Sequence, residues 1–274
     1  MTTKKERIDV LLVERGLLET REKAKRSIMA GLVFSGTERI DKPGLKVERD
    51  VPLEVKGNPI PYVSRGGLKL EKAIAEFNLH LAGKTVLDIG ASTGGFTDCS
   101  LQNGAKAVYA LDVGYNQLAW KLRQDERVTV MERTNFRYVK PEDLKKGAPE
   151  FATIDVSFIS LKLILPVLKT VLAENGEVLA LVKPQFEAGR EQVGKKGIVR
   201  DKKVHIDVVK KICHFSLKQG YDVCGLSYSP IKGGEGNIEF LMHLRFDVVK
   251  KEGDMLAAHS VEEIVEKAHE GLSE

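Results

Sequence analysis

Val86–Phe96 reads VLDIGASTGGF: an apolar run interrupted by one acid, then a turn with three glycines in six positions. With Thr85 in front, the run through Gly90, TVLDIG, has the length and apolar content of a buried strand. The glycines of ASTGG allow a tight turn and close approach of backbone to a ligand, and Phe96 opens a helix. A strand that runs through such a turn into a helix belongs to an open α/β sheet, whose ligands sit beyond the carboxyl ends of the strands.

The residues on either side repeat that rhythm. Six further strand-like runs follow: AVYALDV, RVTVME, FATIDVSF, GEVLALVKP, YDVCGLSYSP and NIEFLMHLRF. Helical spacing lies between most of them, as in Ile159–Leu172 and Lys202–Gln219, and another helix, Gly67–Phe77, precedes the first strand. Such alternation predicts a mostly parallel sheet covered on both faces. The last two strands are separated by KGGEGN with no helix, so they are expected to pair as an antiparallel hairpin. After Asp247 the chain is mostly polar, and its end has the pattern of an amphipathic helix.

The first 61 residues read differently. Arg7–Arg15 and Arg21–Ala30 are short helical patterns, the second with Thr20 as its cap. LVFSG and VPLEV are strand-like, with Pro43-Gly44 as a turn, and Asn58–Tyr62 reads as a linker. The expected organisation is therefore 1–61 as a small α+β domain, 62–247 as a Rossmann-like seven-stranded α/β domain, and 248–274 as a C-terminal extension.

Composition limits the function classes. Hydrophobic residues at 42% and charged residues at 30% fit a packed globular protein. Lys and Arg exceed Asp and Glu by only four, 43 against 39, so any polyanion site depends on where the charge is placed. MTTKKERIDV has no apolar core and is not expected to be a secretory signal. ISLKLILPVLKTVLA is broken by Lys162, Pro166 and Lys169, so no membrane-spanning helix and no membrane partner are expected. Cys99, Cys213 and Cys224 are scattered, without metal-ligand spacing, and read as reduced thiols of a cytoplasmic protein with no bound metal.

Gly90, Gly94 and Gly95 do not follow the G-x-G-x-x-G spacing, which argues against a nicotinamide-dependent dehydrogenase. The next strand ends at Asp112, 22 residues after Gly90. An acid there can accept hydrogen bonds from ribose hydroxyls. Asn135, just past the third strand, is placed to lie against an adenine ring. The competing reading is a purely structural turn organised by Asp88, with Asp112 as a helix cap.

Four ionisable residues fall where such a sheet builds its site. Asp155 and Lys183 end very apolar strands, Glu239 lies in the last strand beside apolar neighbours, and Lys69 lies in the helix before the first strand. A charge at a buried strand end is costly unless it is paired or functional. Taken singly, Lys69 reads as a solvated helix residue and Glu239 as an edge-strand charge. Asp155 and Lys183 could also form a salt bridge with no catalytic role.

SRGGLKL, DIGASTGGFTD, DVSFISL, LVKPQFE, VGKKGIVRD and GNIEF, in this order, resemble the TlyA (hemolysin A) family of rRNA 2′-O-methyltransferases over almost the whole chain. The catalytic half is similar to the wider FtsJ/RrmJ group, which uses a Lys-Asp-Lys-Glu tetrad. Carried over by motif, the tetrad falls on Lys69, Asp155, Lys183 and Glu239. The resemblance implies S-adenosylmethionine as cofactor, with its contacts among Asp88, Gly90, Ala91, Ser92, Gly94, Gly95, Phe96, Asp112 and Asn135. Ser92-Thr93 stands where the wider group has Ala-Pro. It further implies rRNA or a ribosomal subunit as partner and a cytidine ribose 2′-hydroxyl as target. A lysine can take that hydroxyl's proton only if its own affinity for a proton is lowered by burial or a neighbouring cation; Lys183 on its buried strand is the expected base, with Asp155 orienting it.

The N-terminal layout resembles an S-four-like (α-L) RNA-binding module, whose second helix meets phosphates. In TREKAKRSIMA, Arg21, Lys23, Lys25 and Arg26 are the expected contacts, with Ala24, Ile28 and Met29 packing inward; Arg7 and Lys42 add to the surface. From charge alone the same helix reads as a solvated face. A second basic stretch, GREQVGKKGIVRDKKVH, follows Lys183 and offers Lys195, Lys196 and Arg200, with Arg190, Lys202 and Lys203 nearby. It is read as a flexible loop for RNA phosphates. Phe186 is read as stacking on a flipped-out base or as core. The rival readings are a membrane-active hemolysin and a catalytically silent RNA-binding protein. No protein partner or oligomeric state is legible.

Overall fold

The computed structural model describes residues 5–57 and 60–272, and the chain divides into two compact units, Met1–Arg65 and Gly66–Glu274. Asn58 and Pro59 of the expected linker lie outside the described residues.

In the first unit, β1 (Lys5–Arg7) leads into α1 (Ile8–Glu14), followed by α2 (Arg21–Met29), β2 (Val33–Ser35), β3 (Glu38–Ile40), β4 (Lys46–Glu48) and β5 (Glu54–Val55). Antiparallel pairing gives a three-stranded sheet, β3-β2-β5, and a separate pair, β1-β4. Ile8, Leu12, Ala24, Ile28 and Val33 form the core. The Thr20 hydroxyl accepts from the Lys23 N–H, capping α2. Met29 does not pack inward: it is exposed. The buried positions Ala24 and Ile28 are one helical repeat apart, and Met29 lies one step beyond that face. The strands KER, ERI and KVE escape sequence reading because three charged-rich residues show no apolar alternation.

The second unit begins with α3 (Gly66–Phe77) and continues as β6 (Thr85–Ile89), α4 (Gly95–Gln102), β7 (Ala107–Leu111), α5 (Trp120–Arg123), β8 (Val128–Met131), β9 (Phe151–Ile154), α6 (Leu165–Val171), β10 (Glu177–Val182), α7 (Pro184–Glu187), α8 (Lys202–Lys218), β11 (Tyr221–Tyr228), β12 (Phe240–Phe246) and α9 (Val261–Gly271). The seven strands form one sheet in the order β11-β12-β10-β9-β6-β7-β8. From β10 to β8 all neighbours are parallel, while β12 is antiparallel to both β10 and β11. The hairpin expected from the Gly-rich loop is present, and its second strand enters the sheet between β11 and β10.

Two segments depart from the periodicity reading. Ile159–Leu172 is not one helix: Ser160 caps a short 3₁₀ turn at Leu161–Leu163, and α6 starts only at Leu165, with Pro166 in its first turn. FATIDVSF is a strand only as far as Ile154. The C-terminal segment is part of this unit. Ser260 and Glu263 form a capping box at the start of α9, whose Val261, Ile264, Val265 and Ala268 join the sheet's core. Buried Asp222 ties the approach to α9 by accepting from Lys250, Arg245 and the Asp254 N–H. Among the described residues no helix is long and apolar enough to cross a membrane.

Candidate active site

Strand order brings the four ionisable residues together. Parallel β9 and β10 end side by side, so Asp155 and Lys183, the first residues past each, emerge at the same edge. β12 runs the other way, and its first residue, Phe240, pairs with Val182, the last of β10. Glu239 therefore arrives beside Lys183. It stands just before β12 rather than within it. Lys69 comes from the first turns of α3.

Lys69 Nζ lies 2.6 Å from Glu239 Oε2 and 3.4 Å from Asp155 Oδ2. Lys183 Nζ lies 2.5 Å from Asp155 Oδ1 and 3.3 Å from Ser157 Oγ. Lys69, Lys183 and Glu239 are 7%, 8% and 2% exposed; the Asp155 side chain remains 21% open. The set holds two cations and two anions, which offsets the cost of burial. Burial alone disfavours the Lys69 ammonium, but Asp155 and Glu239 outweigh it and raise its proton affinity above the ordinary lysine value. Burial likewise opposes the Asp155 carboxylate, and Lys69 and Lys183 overcome it, holding its pKa below the usual range. Lys69, locked between two carboxylates, is thus a poor base. Lys183 meets one carboxylate and one hydroxyl.

The glycine turn abuts this group. Gly90 has φ +88°, and a Cβ there would be driven into the Asp155 carbonyl. Only glycine lets the ends of β6 and β9 approach so closely. Asp112 Oδ2 accepts from the Ser92 N–H at 2.8 Å and Oδ1 from the Gly114 N–H at 2.7 Å, so the acid is fixed with lone pairs left for ribose hydroxyls. Ser92, exposed at φ +48°, forms the turn's crest. The Thr134 N–H donates to the Asp112 carbonyl, which brings Asn135 to the same strand ends. Asn135 Oδ1 caps the following turn by accepting from the Arg137 N–H. This turn, its acid and its amide fit the nucleoside half of S-adenosylmethionine.

The other residues expected around the cofactor are mostly buried. Asp88 is buried and accepts from the Thr97 and Thr153 hydroxyls at 2.7 and 2.9 Å, so it braces the turn from beneath. Burial pushes its carboxyl up to about 6, against the pull of the two hydroxyls. Phe96 packs inside, Ala91 and Gly95 are buried, and Gly94 precedes α4 with φ +98°. The Ala91 N–H is already taken by the Leu111 carbonyl.

Sequence reading missed the loop after Asp155. Phe158, read as a strand residue, stands at φ +63° and is 90% exposed, with its ring 5.0 Å from that of Phe186. Phe186 is therefore neither wholly core nor free; Lys183 Nζ also lies over its ring. Glu187 anchors the loop, accepting from Ser160 Oγ at 2.6 Å and the Leu161 N–H at 2.7 Å. An aromatic beside a serine right after the strand-end acid was the only local signal.

The cations fall into three groups. Lys195, Lys196 and Arg200 are exposed on a loop beside α7 and α8. Its latter part is tied to the Gly-rich loop: Asn237 accepts from the Val199 N–H and donates to the Gly197 carbonyl. In the first unit, Arg7 and Arg21 both bind buried Asp9, and Lys23 pairs with Glu19. Lys25 is exposed and Arg26 half-buried on the same helix.

Residues 62–246 match the family model of FtsJ-like methyltransferases, and residues 6–51 match that of the S4 domain. Bacillus subtilis YqxC, provisionally named an rRNA methyltransferase, is 68% identical over all of this chain and 98% of its own. The 16S/23S rRNA (cytidine-2′-O)-methyltransferase TlyA of Mycobacterium tuberculosis is 40% identical over 96% of each chain. A solved Streptococcus thermophilus structure, provisionally named a hemolysin, is 55% identical with a TM-score of 0.79 and covers 99% of this chain and 98% of its own. With its glycine turn, its paired lysines and carboxylates and these matches, the chain belongs to the FtsJ-like methyltransferase family.

Proposed function

We propose that the protein methylates the ribose 2′-hydroxyl of a cytidine in rRNA, using S-adenosylmethionine, in the cytoplasm and on a ribosomal subunit. The observation that carries the reading is the close approach of the Gly90 turn to Asp155, which supports a cofactor held beside the Lys183–Asp155 pair. The cofactor, when bound, supplies a methyl carbon made electrophilic by its sulfonium.

The remaining chemistry belongs to the chain. With the cofactor bound, Lys183 Nζ would take the 2′-hydroxyl proton as the oxygen attacks the methyl carbon and the carbon–sulfur bond breaks to leave a neutral thioether, and Asp155 would stabilise the ammonium that results. Lys69 stays charged and holds Asp155 and Glu239 in place, leaving Glu239 to orient the ribose. Phe158 offers an exposed ring for a base drawn out of its stack. The S4 match of the first unit and the loop cations Lys195, Lys196 and Arg200 support an RNA substrate, and the name of the TlyA relative supports cytidine.

Mapping 2′-O-methylation of rRNA in cells with and without the protein tests this. At least one cytidine methyl mark is expected to vanish and to return with the wild-type chain but not with a Lys183→Ala chain. Identical maps would overturn the proposal.

A further inference from the structure

Asn237 and Glu239 share the GNIEF segment, but Asn237 serves a different structure. Its side chain, 2% exposed, accepts from the Val199 N–H at 3.1 Å and donates to the carbonyls of Gly197 and Gly234 at 3.0 and 3.1 Å. One buried amide thereby fixes the basic loop and the Gly-rich loop against each other. Each loop also holds a non-glycine residue in the left-handed region, Lys196 at φ +66° and Glu235 at φ +56°. Such strain persists only where surrounding contacts over-determine it, and it is concentrated at ligand clamps.

Between the two loops and the end of α9 lies a cavity of about 450 Å³, within the range of small-molecule sites. Arg200, Lys232 and Glu235 bring charge to it, and Ile238 and Leu272 give it apolar walls. His205 and His269 line it as a bonded pair. His205 Nε2–H donates to the Val199 carbonyl at 3.2 Å, so its Nδ1 accepts from His269 Nε2–H at 2.8 Å. Burial, and then His269, push His205 down to about 4, so His205 is neutral at physiological pH. The cavity therefore combines apolar and aromatic walls with two cations, one from each registered loop, against the single carboxylate of Glu235. A nucleotide has the same two-part character, a flat base and an anionic phosphate.

We propose that this cavity receives a nucleotide flanking the methylated one, its phosphate facing Arg200 and Lys232 and its base lying against Ile238 and Leu272. The proposal rests on the rRNA reading above. Two variants of the full chain test it, with rRNA methylation kinetics and RNA affinity measured at several salt concentrations and cofactor affinity as control. Arg200→Ala/Lys232→Ala is expected to raise KM for RNA about tenfold and to flatten the salt slope by about 1. Leu272→Trp narrows the cavity without changing charge and is expected to raise KM about fivefold at an unaltered salt slope. In both, KM should change more than kcat. If only the charge variant responds, the cations act by diffuse attraction and the cavity is not a subsite. If neither responds while the wild type binds and methylates rRNA, the inference fails alone. If the wild type does neither, the rRNA reading fails with it.

Discussion

Lys183 Nζ lies 2.5 Å from Asp155 Oδ1, and Asp155 is the residue whose carbonyl leaves no room for a Cβ at Gly90. The proposed base, its orienting acid and the cofactor turn thus form one continuous contact. Lys183→Ala should lower kcat by about 10²–10⁴-fold, the range of a lost general base. Cofactor affinity, measured by calorimetry, should stay near wild type, because Lys183 is not part of the turn. Full single-turnover methylation by Lys183→Ala would exclude the role.

Lys69 is buried against two carboxylates. Lys69→Met leaves both without their shared cation and should destabilise the fold by about 3–5 kcal/mol, the usual cost of breaking a buried pair. Adding Glu239→Gln restores the charge balance, because Lys183 and Asp155 still offset each other. The double variant should therefore recover most of the stability in urea denaturation while methylation stays low. Equal instability of the single and double variants would show that packing, not charge, fixes Lys69.

Asp88 gives a pH signature with a defined sign. Its folded pKa of about 6 is above the ordinary 3.8, so the folded chain binds this proton more tightly than the unfolded one. The associated stability is full below the ordinary value and is lost as pH rises through about 6. Asp88→Asn removes the titration. Relative to the variant, the wild type should lose up to roughly 3 kcal/mol between pH 4 and pH 7.5. A stability difference independent of pH would mean that Asp88 does not titrate in this range.

Phe158 is held at φ +63° with its ring in solvent. Phe158→Gly should relieve backbone strain of about 1 kcal/mol and leave the melting temperature unchanged or slightly higher. Loss of a stacking ring should weaken RNA binding by about 1–3 kcal/mol. Improved or constant stability together with unchanged RNA affinity would leave the exposed ring without a function.

Local signals carried much of the architecture. The run Thr85–Gly95, the seven strands, Thr20 as a cap and the antiparallel hairpin follow from periodicity and turn chemistry acting over a few residues. The same signals failed where no period exists, as in the three-residue strands of the first unit, or where a proline and a capping serine divided Ile159–Leu172.

The four tetrad residues could be nominated from the chain alone, because charges at the ends of apolar strands and ordered motifs are properties of the sequence. Their pairing could not. Lys69 meets Asp155 across 86 positions and Glu239 across 170, and these contacts exist because β12 enters between β10 and β11 and delivers Glu239 beside Lys183. Folding likewise buried Asp88 against two threonine hydroxyls, set Arg7 and Arg21 on Asp9, exposed Phe158 and made Asn237 a clamp between two loops. Secondary structure arises from interactions among near neighbours, whereas partners of a buried charge are chosen by strand order and packing, which no local pattern encodes.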